Sequence, residues 1–286
     1  MTAKNTDFQE KKSLNIGGRL LDLSVPRVMG ILNLTPDSFF DGGRHHTTDA
    51  AMRQTGLMLR EGADLIDIGA YSSRPNAEDI SPAEELSRLL PALRQIRKEF
   101  PEAVLSVDTF RAEVARAAVG EGAQIINDIS AGTLDPAMFE TAAELRVPYI
   151  LMHMRGTPQT MQQHTQYEHV LNEVLDYFIS KVQHLVALGM VDIIIDPGFG
   201  FAKTTDQNFE LLNKLEIFRM LGFPVLAGVS RKGMIWKTLG ISPQDALNGT
   251  TVINTIALMK GAKILRVHDV KAAREAVELV SRLNPQ

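Results

Sequence analysis

The sequence predicts an α/β protein with the fold of a (β/α)8 TIM barrel, preceded by a short β-hairpin. Eight apolar, strand-like runs recur along the chain, and segments of helical periodicity separate them. Buried parallel strands are apolar on both faces, and the carboxyl ends of barrel strands carry the chemistry. Each run closes on or contains a polar residue, in the order VMGILN with Asn33, LIDIG with Asp67, LSVD with Asp108, IIND with Asn127–Asp128, YILMH with His153, IIID with Asp196, VLAGVS with Ser230, and ILRVH with Arg266 and His268.

The composition is that of an ordinary globular protein of one domain. The 286 residues include 44% hydrophobic and 22% charged residues, which suits a barrel of about 250 residues with a few extensions. A formal net charge of −4 argues against a nucleic-acid or anionic-membrane surface. The chain has no cysteine, and its polar N-terminus lacks the apolar core of a signal peptide. We therefore expect a soluble, cytoplasmic protein with neither a nucleic-acid nor a membrane partner.

The elements follow in a regular order. Residues 1–12 are expected to form a disordered tail, and 13–286 a single domain. The run SLNIGGRLLDLS predicts the hairpin, with its turn at Gly17–Gly18. Helical periodicity then predicts helices over 49–61, 83–100, 111–121, 136–145, 167–188, 206–221, 243–260 and 269–283.

A doubly wound open sheet would also alternate strands and helices. The barrel is favoured because the units number eight and no G-x-G-x-x-G motif opens the first helix. The loops that follow the first, second, fifth and sixth strands are long, whereas those that enter strands are short. This asymmetry indicates one elaborated face.

Two carboxylates and an amide are the first candidate binding group. A single Asp at a strand end is as often a helix cap as a functional residue. Asp108, Asn127 and Asp196 would, however, converge on one barrel mouth. Acceptors and donors in that arrangement suit a planar, polar heterocycle.

The second group is cationic and comprises Arg74, Lys232, Arg266 and His268. Most single Arg or Lys residues are solvated surface charges. Barrels nevertheless bind phosphate with the loops after strands seven and eight, where Lys232, Arg266 and His268 fall. Arg also binds phosphate in a bidentate manner. These residues predict an anionic substrate.

The segment DPGFGFAK is rich in glycine but lacks the ending of a phosphate-binding P-loop. It is interpreted as a mobile loop that lays Phe201 against a ligand, and a Phe201 packed in the core is equally compatible with the spacing. The sequence has no H-E-x-x-H motif and no comparable cluster of metal ligands.

Eight motifs carry a family resemblance, from Gly30 to His268. They are GILNLTPDSFFDGG, SSRP, VDTFR, INDISAG, LMHMRGTPQTMQ, DPGFGFAK, GVSRKG and LRVHDV. Together they resemble the dihydropteroate synthases. The resemblance implies a transferase of folate biosynthesis, which moves 7,8-dihydropterin-6-ylmethyl from its diphosphate to 4-aminobenzoate with Mg²⁺. It also implies a homodimer, and 4-aminobenzoate is the substrate that sulfonamides mimic in this family.

The resemblance assigns roles to residues by their motif positions. Asp108, Lys232, Arg266 and His268 are implied to be catalytic. The implied pterin site comprises Asp108, Asn127, Met152, Asp196 and Lys232. The implied diphosphate site comprises Asn33, which also binds Mg²⁺, with Arg74, Arg266 and His268. The implied 4-aminobenzoate site comprises Ser73, Pro75, Phe201, Ser230 and Lys232, and a mobile first loop carries Thr35 and Asp37. His153 and Asp67 are expected to orient their neighbours.

The chain departs from the family pattern in two loops. Ala70, Tyr71, Ser73 and Asn76 stand where the family has Gly, Glu, Thr and Gly, and Ala202 replaces a Gly. None of these changes removes a group that the reaction needs.

Two other functions remain compatible with the residues. A Schiff-base lyase would use Lys232, whose neighbour Arg231 could lower its pKa. A non-catalytic pterin-binding barrel would use the same polar pocket.

Overall fold

The computed structural model describes residues 10–34, 44–72 and 79–283. Its centre is a sheet of eight parallel strands, each of which pairs with the next in register. The strands are β3 (Arg27–Asn33), β4 (Leu65–Gly69), β5 (Val104–Asp108), β6 (Ile125–Asp128), β7 (Tyr149–Met152), β8 (Ile193–Asp196), β9 (Leu226–Ala227) and β10 (Ile264–Val267).

The sheet is closed, which decides between the two predicted folds. Its strand order is β8-β7-β6-β5-β4-β3-β10-β9. The two outer strands meet through a parallel bridge between Ile195 and Val225, and Ile195 N donates to Pro224 O at 2.9 Å. The barrel is therefore confirmed, and the open sheet is excluded.

A hairpin closes the N-terminal end of the barrel. Strands β1 (Ser13–Ile16) and β2 (Arg19–Asp22) pair antiparallel, as predicted. Gly17 and Gly18 both have positive φ, +57° and +89°, as the two-residue turn of such hairpins requires. The side chains of the hairpin and of the strand starts form one buried apolar cluster, which includes Leu14, Ile16, Leu23, Met29, Leu65, Ile125, Ile150, Ile194, Leu226 and Ile264. The opposite end of the barrel is left for chemistry.

Helices surround the strands and bury their apolar faces against them. They are α1 (Arg44–Arg60), α2 (Pro82–Glu99), α3 (Ala112–Gly120), α4 (Met138–Leu145), α5 (Val170–Ala187), α6 (Thr205–Asn213), α7 (Gly233–Leu239), α8 (Leu247–Met259) and α9 (Val270–Leu283). In the described ranges, no helix combines the length and hydropathy that crossing a bilayer would need.

Three helix predictions differ from the structure. Helix α1 begins at Arg44 and not at residue 49, because the segment RHHTT is helical despite its weak helix formers. The helix predicted over 206–221 ends at Asn213, and a separate 3₁₀ helix covers Leu215–Leu221. Helix α7 was not predicted, since its seven residues are too few to show a periodic pattern, and α8 starts four residues after its predicted start.

The folded part begins before the predicted boundary at residue 13. Glu10 is buried, and its Oε2 accepts a hydrogen bond from Arg219 Nε at 3.1 Å. Lys11 N donates to Gly222 O at 3.0 Å. The three residues 10–12 therefore belong to the barrel and not to a tail, whereas residues 1–9 lie outside the described residues.

Candidate functional site

The polar strand ends meet in one layer at the C-terminal mouth. In the strand register, Asn33 pairs with Gly69, Gly69 with Asp108, and Asp108 with Asn127. Farther around the barrel, Met152 pairs with Asp196. Parallel strands thus bring together residues that are far apart in the sequence, as the barrel prediction requires.

Arg266 joins two carboxylates across the mouth. Its Nε donates to Asp67 Oδ2 and its Nη2 to Asp108 Oδ2, each at 2.6 Å. Burial alone would lower the pKa of Arg266, but the two carboxylates together raise it above its usual value. The guanidinium therefore stays charged, and its position is set by residues of β4 and β5.

Asp108 is held in an environment that disfavours its charge. Burial raises the pKa of Asp108 to about 7, the Arg266 guanidinium opposes this change, and the Asp67 carboxylate adds to it. A carboxylate with this pKa changes charge near neutral pH. It is thus a candidate for a catalytic role.

Asp67 also fixes the side chain of Asn127. The amide Nδ2 of Asn127 donates to Asp67 Oδ2 at 2.8 Å, and both residues are buried. This bond uses one N–H of the amide and leaves the amide oxygen and the second N–H for other partners. We expected Asp67 to orient a neighbouring side chain, and its hydrogen bond to Asn127 is a contact of this kind.

Lys232 and Asp196 are groups of opposite charge that influence each other's pKa at the mouth. Burial lowers the pKa of Lys232 to about 8, and the Asp196 carboxylate opposes this change. Burial likewise raises the pKa of Asp196, against the effect of Lys232. Arg231 has φ +53° and binds both carboxylate oxygens of Asp269 at 2.9 Å, so its charge is paired away from the lysine.

Phe201 lies at the mouth and not in the core. The ammonium of Lys232 is 4.5 Å from the centre of the Phe201 ring, and it also donates to Phe199 O. Phe199 is the fully buried ring of the two. Phe201 instead packs beside an apolar cluster at the mouth, which comprises Ile129, Met152, Met154, Met161 and Ala202.

Ser230 and His268 are bonded to each other. The backbone N–H of His268 donates to Ser230 Oγ at 3.1 Å, and Oγ lies 3.1 Å from His268 Nδ1. Burial lowers the pKa of His268 to about 4, helped by the Arg266 guanidinium, even though solvent reaches part of the ring. At neutral pH, His268 is therefore a neutral hydrogen-bonding group. Ser230 is only 4% exposed and contacts the histidine of the implied diphosphate site.

Comparisons with known proteins show which sequences this chain resembles. The sequence model of a family described as "Pterin binding enzyme" matches residues 29–268. The dihydropteroate synthase of Escherichia coli K12 is 44% identical over 265 residues, which cover 92% of this chain and 93% of that protein. The dihydropteroate synthase of Bacillus subtilis is 45% identical over 260 residues, which cover 90% and 88%.

Solved structures extend the likeness to three dimensions. The dihydropteroate synthase of Xanthomonas albilineans with 4-aminobenzoic acid superposes with a TM-score of 0.90 and 41% identity, over 96% of this chain and 99% of that one. The chain belongs to the dihydropteroate synthase family. It is a transferase of folate biosynthesis (EC 2.5.1.15), so the lyase and the non-catalytic binding protein are set aside.

The tyrosine that departs from the synthase pattern is accommodated at the rim. The Tyr71 ring packs edge-on against Phe110, with centroids 5.0 Å apart. Tyr71 OH accepts a hydrogen bond from Gln159 Nε2 at 2.9 Å, and the Arg111 guanidinium lies over both rings. Tyr71 thereby ties together the loops that follow β4, β5 and β7.

Several residues that the synthase resemblance implies cannot be placed. Thr35 and Asp37 of the first loop lie outside the described residues. The same holds for Ser73, Arg74 and Pro75 of the second loop, and for the departure at Asn76. Their assignments stay predictions.

Lys203 is a buried polar residue that the sequence reasoning did not single out. It is 4% exposed, and its Nζ lies 2.9 Å from His153 Nδ1. Burial, together with the Lys203 charge, lowers the pKa of His153. A lysine that ends a glycine-rich loop gives little sequence signal, because most lysines are exposed.

Proposed function

We propose that the barrel mouth divides the substrates of the synthase reaction among three groups of side chains. The pterin contacts Asp108, Asn127, Met152, Asp196 and Lys232. The diphosphate contacts Asn33, Arg74, Arg266 and His268. The arylamine contacts Ser73, Pro75, Phe201, Ser230 and Lys232, and the loop of Thr35 and Asp37 closes over the reacting groups.

The orientation of the Asn127 amide is the observation that supports this proposal most. With Nδ2 bonded to Asp67, the amide oxygen joins the carboxylates of Asp108 and Asp196 as an acceptor. The aminopyrimidine edge of a dihydropterin is rich in N–H donors, so three acceptors complement it. The pterin carbonyl oxygen needs a donor, which Lys232 supplies.

The same arrangement suits departure of the diphosphate. A guanidinium has five N–H donors, and only Nε and Nη2 of Arg266 contact the carboxylates. The remaining donors, with the neutral imidazole of His268, suit phosphate oxygens. As the C–O bond breaks, the diphosphate takes the electron pair, and positive charge develops on the pterin methylene. The Asp108 carboxylate stabilises that charge.

The second half of the reaction needs little from the protein. The arylamine nitrogen forms the new C–N bond and then loses a proton. An arylamine is nucleophilic without activation, so no strong general base is required. Phe201 and the aliphatic part of Lys232 hold its ring in place, which is chiefly a contribution of orientation.

The donor set fits Mg²⁺ held mainly by the substrate. In residues 10–34, 44–72 and 79–283, no three His, Asp or Glu side chains are placed to hold a metal ion. Asn33, at the end of β3, offers a hard amide oxygen in the layer of Asp108. Mg²⁺ keeps several waters and binds phosphate oxygens with few protein ligands. When bound, it neutralises the leaving diphosphate.

A homodimer is proposed through helices α8 and α9. Val252, Ile256 and Met259 are exposed at positions i, i+4 and i+7 of α8, and Leu279 and Leu283 are exposed on α9. An apolar helix face of this kind is typical of a subunit interface. The cytoplasmic location stays a prediction.

Two variants test the division of the site. Asp196→Asn should weaken binding of the dihydropterin diphosphate and leave the KM for 4-aminobenzoate nearly unchanged. Phe201→Leu should raise the KM for 4-aminobenzoate and leave binding of the dihydropterin diphosphate nearly unchanged. Isothermal titration with the pterin diphosphate and Mg²⁺, together with assays of diphosphate release, measures both. Equal effects of each variant on both substrates would overturn the proposed division.

A further inference from the structure

Lys203 is a buried lysine whose bonds are all made to one loop and one histidine. Its Nζ donates to Gly198 O and to Phe201 O, each at 3.0 Å. The third partner is His153 Nδ1, at 2.9 Å. An amine has protons for both carbonyls in either protonation state, and the imidazole nitrogen accepts a third proton or donates its own. Every direction of the Nζ group is thus occupied.

The loop over 197–202 is held by contacts to its backbone as well. Gly198 N donates to Asp196 Oδ1 at 2.8 Å, and Gly200 N donates to Asn208 Oδ1 at 2.7 Å. Gly198 has φ +70°, and a Cβ there would lie 2.0 Å from His153 O. The loop therefore packs against His153, directly after β7, with no room for a side chain at Gly198.

The other side of this loop faces the reacting groups. Phe199 O accepts a hydrogen bond from Lys232 Nζ, and the Phe201 ring lies 4.5 Å from the same ammonium. Lys203 and Lys232 thus contact different atoms of the same four-residue segment, 198–201. Loss of the inner contacts would change the position of Phe201 and the partner of Lys232 together.

We propose that Lys203 is a positioning residue of the synthase reaction, which fixes the loop over 197–202 so that Phe201 and Lys232 meet the arylamine and the pterin. The proposal rests on the roles proposed above for Phe201 and Lys232. A buried lysine is costly to the fold unless its hydrogen bonds are made, and those of Lys203 all go to the loop and to His153. Its hydrogen bonds therefore fix the geometry of the loop.

The test compares Lys203→Met with the control Lys11→Met. Lys11 also donates to a backbone carbonyl, Val191 O at 2.8 Å, and pairs with Asp192, but at the closed N-terminal end of the barrel. Steady-state assays give kcat and the KM for each substrate, and thermal unfolding gives Tm.

Lys203→Met should raise the KM for 4-aminobenzoate about tenfold, since small displacements of positioning groups have effects of this size or larger. The KM for the pterin diphosphate should rise less, and Tm should fall, because Lys203→Met leaves the carbonyls of Gly198 and Phe201 without their donor. Lys11→Met should leave both KM values unchanged. A merely structural lysine would lower Tm and the amount of active enzyme without changing either KM.

An unchanged KM for 4-aminobenzoate in folded Lys203→Met would overturn the proposal. If Lys203→Met does not fold, Lys203→Gln takes its place, because the amide keeps two donors but reaches less far. It should show a smaller rise in the same KM, and no rise would again overturn the proposal. Phe201→Leu, measured in parallel, distinguishes a wrong role for Phe201 from a wrong role for Lys203. If it leaves that KM unchanged, the role of Phe201 is wrong, whereas an effect of Phe201→Leu alone contradicts only the role of Lys203.

Discussion

The carboxylate of Asp67 accepts a hydrogen bond from the side-chain amide of Asn127 at 2.8 Å, below the layer in which a substrate would bind. The bond holds one N–H of the amide on Asp67 and so restricts how the side chain of Asn127 can turn. The same oxygen of Asp67 also accepts a hydrogen bond from Arg266 Nε. One buried acid thus contacts both the amide proposed to bind the pterin and the guanidinium proposed to bind the diphosphate.

Replacement of Asp67 should therefore weaken pterin binding although Asp67 makes no substrate contact. In Asp67→Ala, the Asn127 amide loses its partner and can turn over, so the Kd of a dihydropterin should rise by about tenfold or more. Asp67→Asn keeps an acceptor for Asn127 and should have a smaller effect. Isothermal titration measures each Kd.

Ser106→Ala is the matched control. Ser106 is the register neighbour of Asp67, and its buried Oγ has no hydrogen-bond partner among the described residues. Removal of such a hydroxyl should leave pterin binding unchanged and the stability equal or higher. If Asp67→Ala binds as well as Ser106→Ala does, fixation of the amide is not needed for recognition.

Asp108→Asn should reduce turnover more than binding. The amide keeps the shape and an acceptor for the pterin but cannot stabilise positive charge on the methylene. We expect the single-turnover rate to fall by about 100-fold, as for other groups that stabilise transition-state charge. The Kd of the pterin diphosphate should change by much less. Similar losses in rate and affinity would contradict a catalytic role for Asp108.

The fold could be predicted from the sequence because its signal is repeated. Eight apolar runs, each with a polar residue at its end, specify eight strands and one face. Local features were harder to predict. Helix α7 has only seven residues, too few to show the α-helical period. The 3₁₀ helix over Leu215–Leu221 was predicted as part of an α-helix, because repeats of 3.0 and 3.6 residues are hard to distinguish over two turns.

The sequence predicts which side chains lie at the strand ends, but not which of them bond to each other. Asp108 and Arg266 were assigned to different parts of the pterin diphosphate, yet they contact each other at 2.6 Å. A strand position gives the layer of a side chain, whereas its hydrogen-bond partners depend on residues from several strands. Lys203 shows the same limit. Its partner His153 is 50 residues away in the sequence, and its contacts with Gly198 and Phe201 depend on how the loop over 197–202 turns.

The apolar face of α8 gives a prediction about assembly. Met259 is 66% exposed, and Leu20, on the hairpin strand β2, is 75% exposed. Met259→Glu would bring a charge into the proposed interface and should shift the protein from dimer to monomer, whereas Leu20→Glu should not. Light scattering over a range of concentrations measures the mass. A dimer that persists in Met259→Glu would place the interface elsewhere.

The two shifted pKa values at the mouth predict a narrow optimum of pH. Burial raises the pKa of Asp108 to about 7, so protonation should reduce kcat/KM for the pterin diphosphate below that pH. Burial lowers the pKa of Lys232 to about 8, so loss of its proton should reduce kcat/KM above that pH. The pKa of His268 is lowered to about 4 by burial and by Arg266, so His268 stays neutral across this range. Its ionisation should therefore not change kcat/KM between pH 7 and pH 8.

Lys232→Arg tests the alkaline limb directly. A guanidinium keeps its proton to about pH 12 or higher, so the fall in kcat/KM above pH 8 should disappear while the acid limb remains. The absolute rate should be lower, because the longer, planar group fits the contacts with Phe199 O and the Phe201 ring less well. Ionisation of the substrate diphosphate is common to both enzymes and cancels in the comparison. An alkaline limb that survives in Lys232→Arg would assign it to a group other than Lys232.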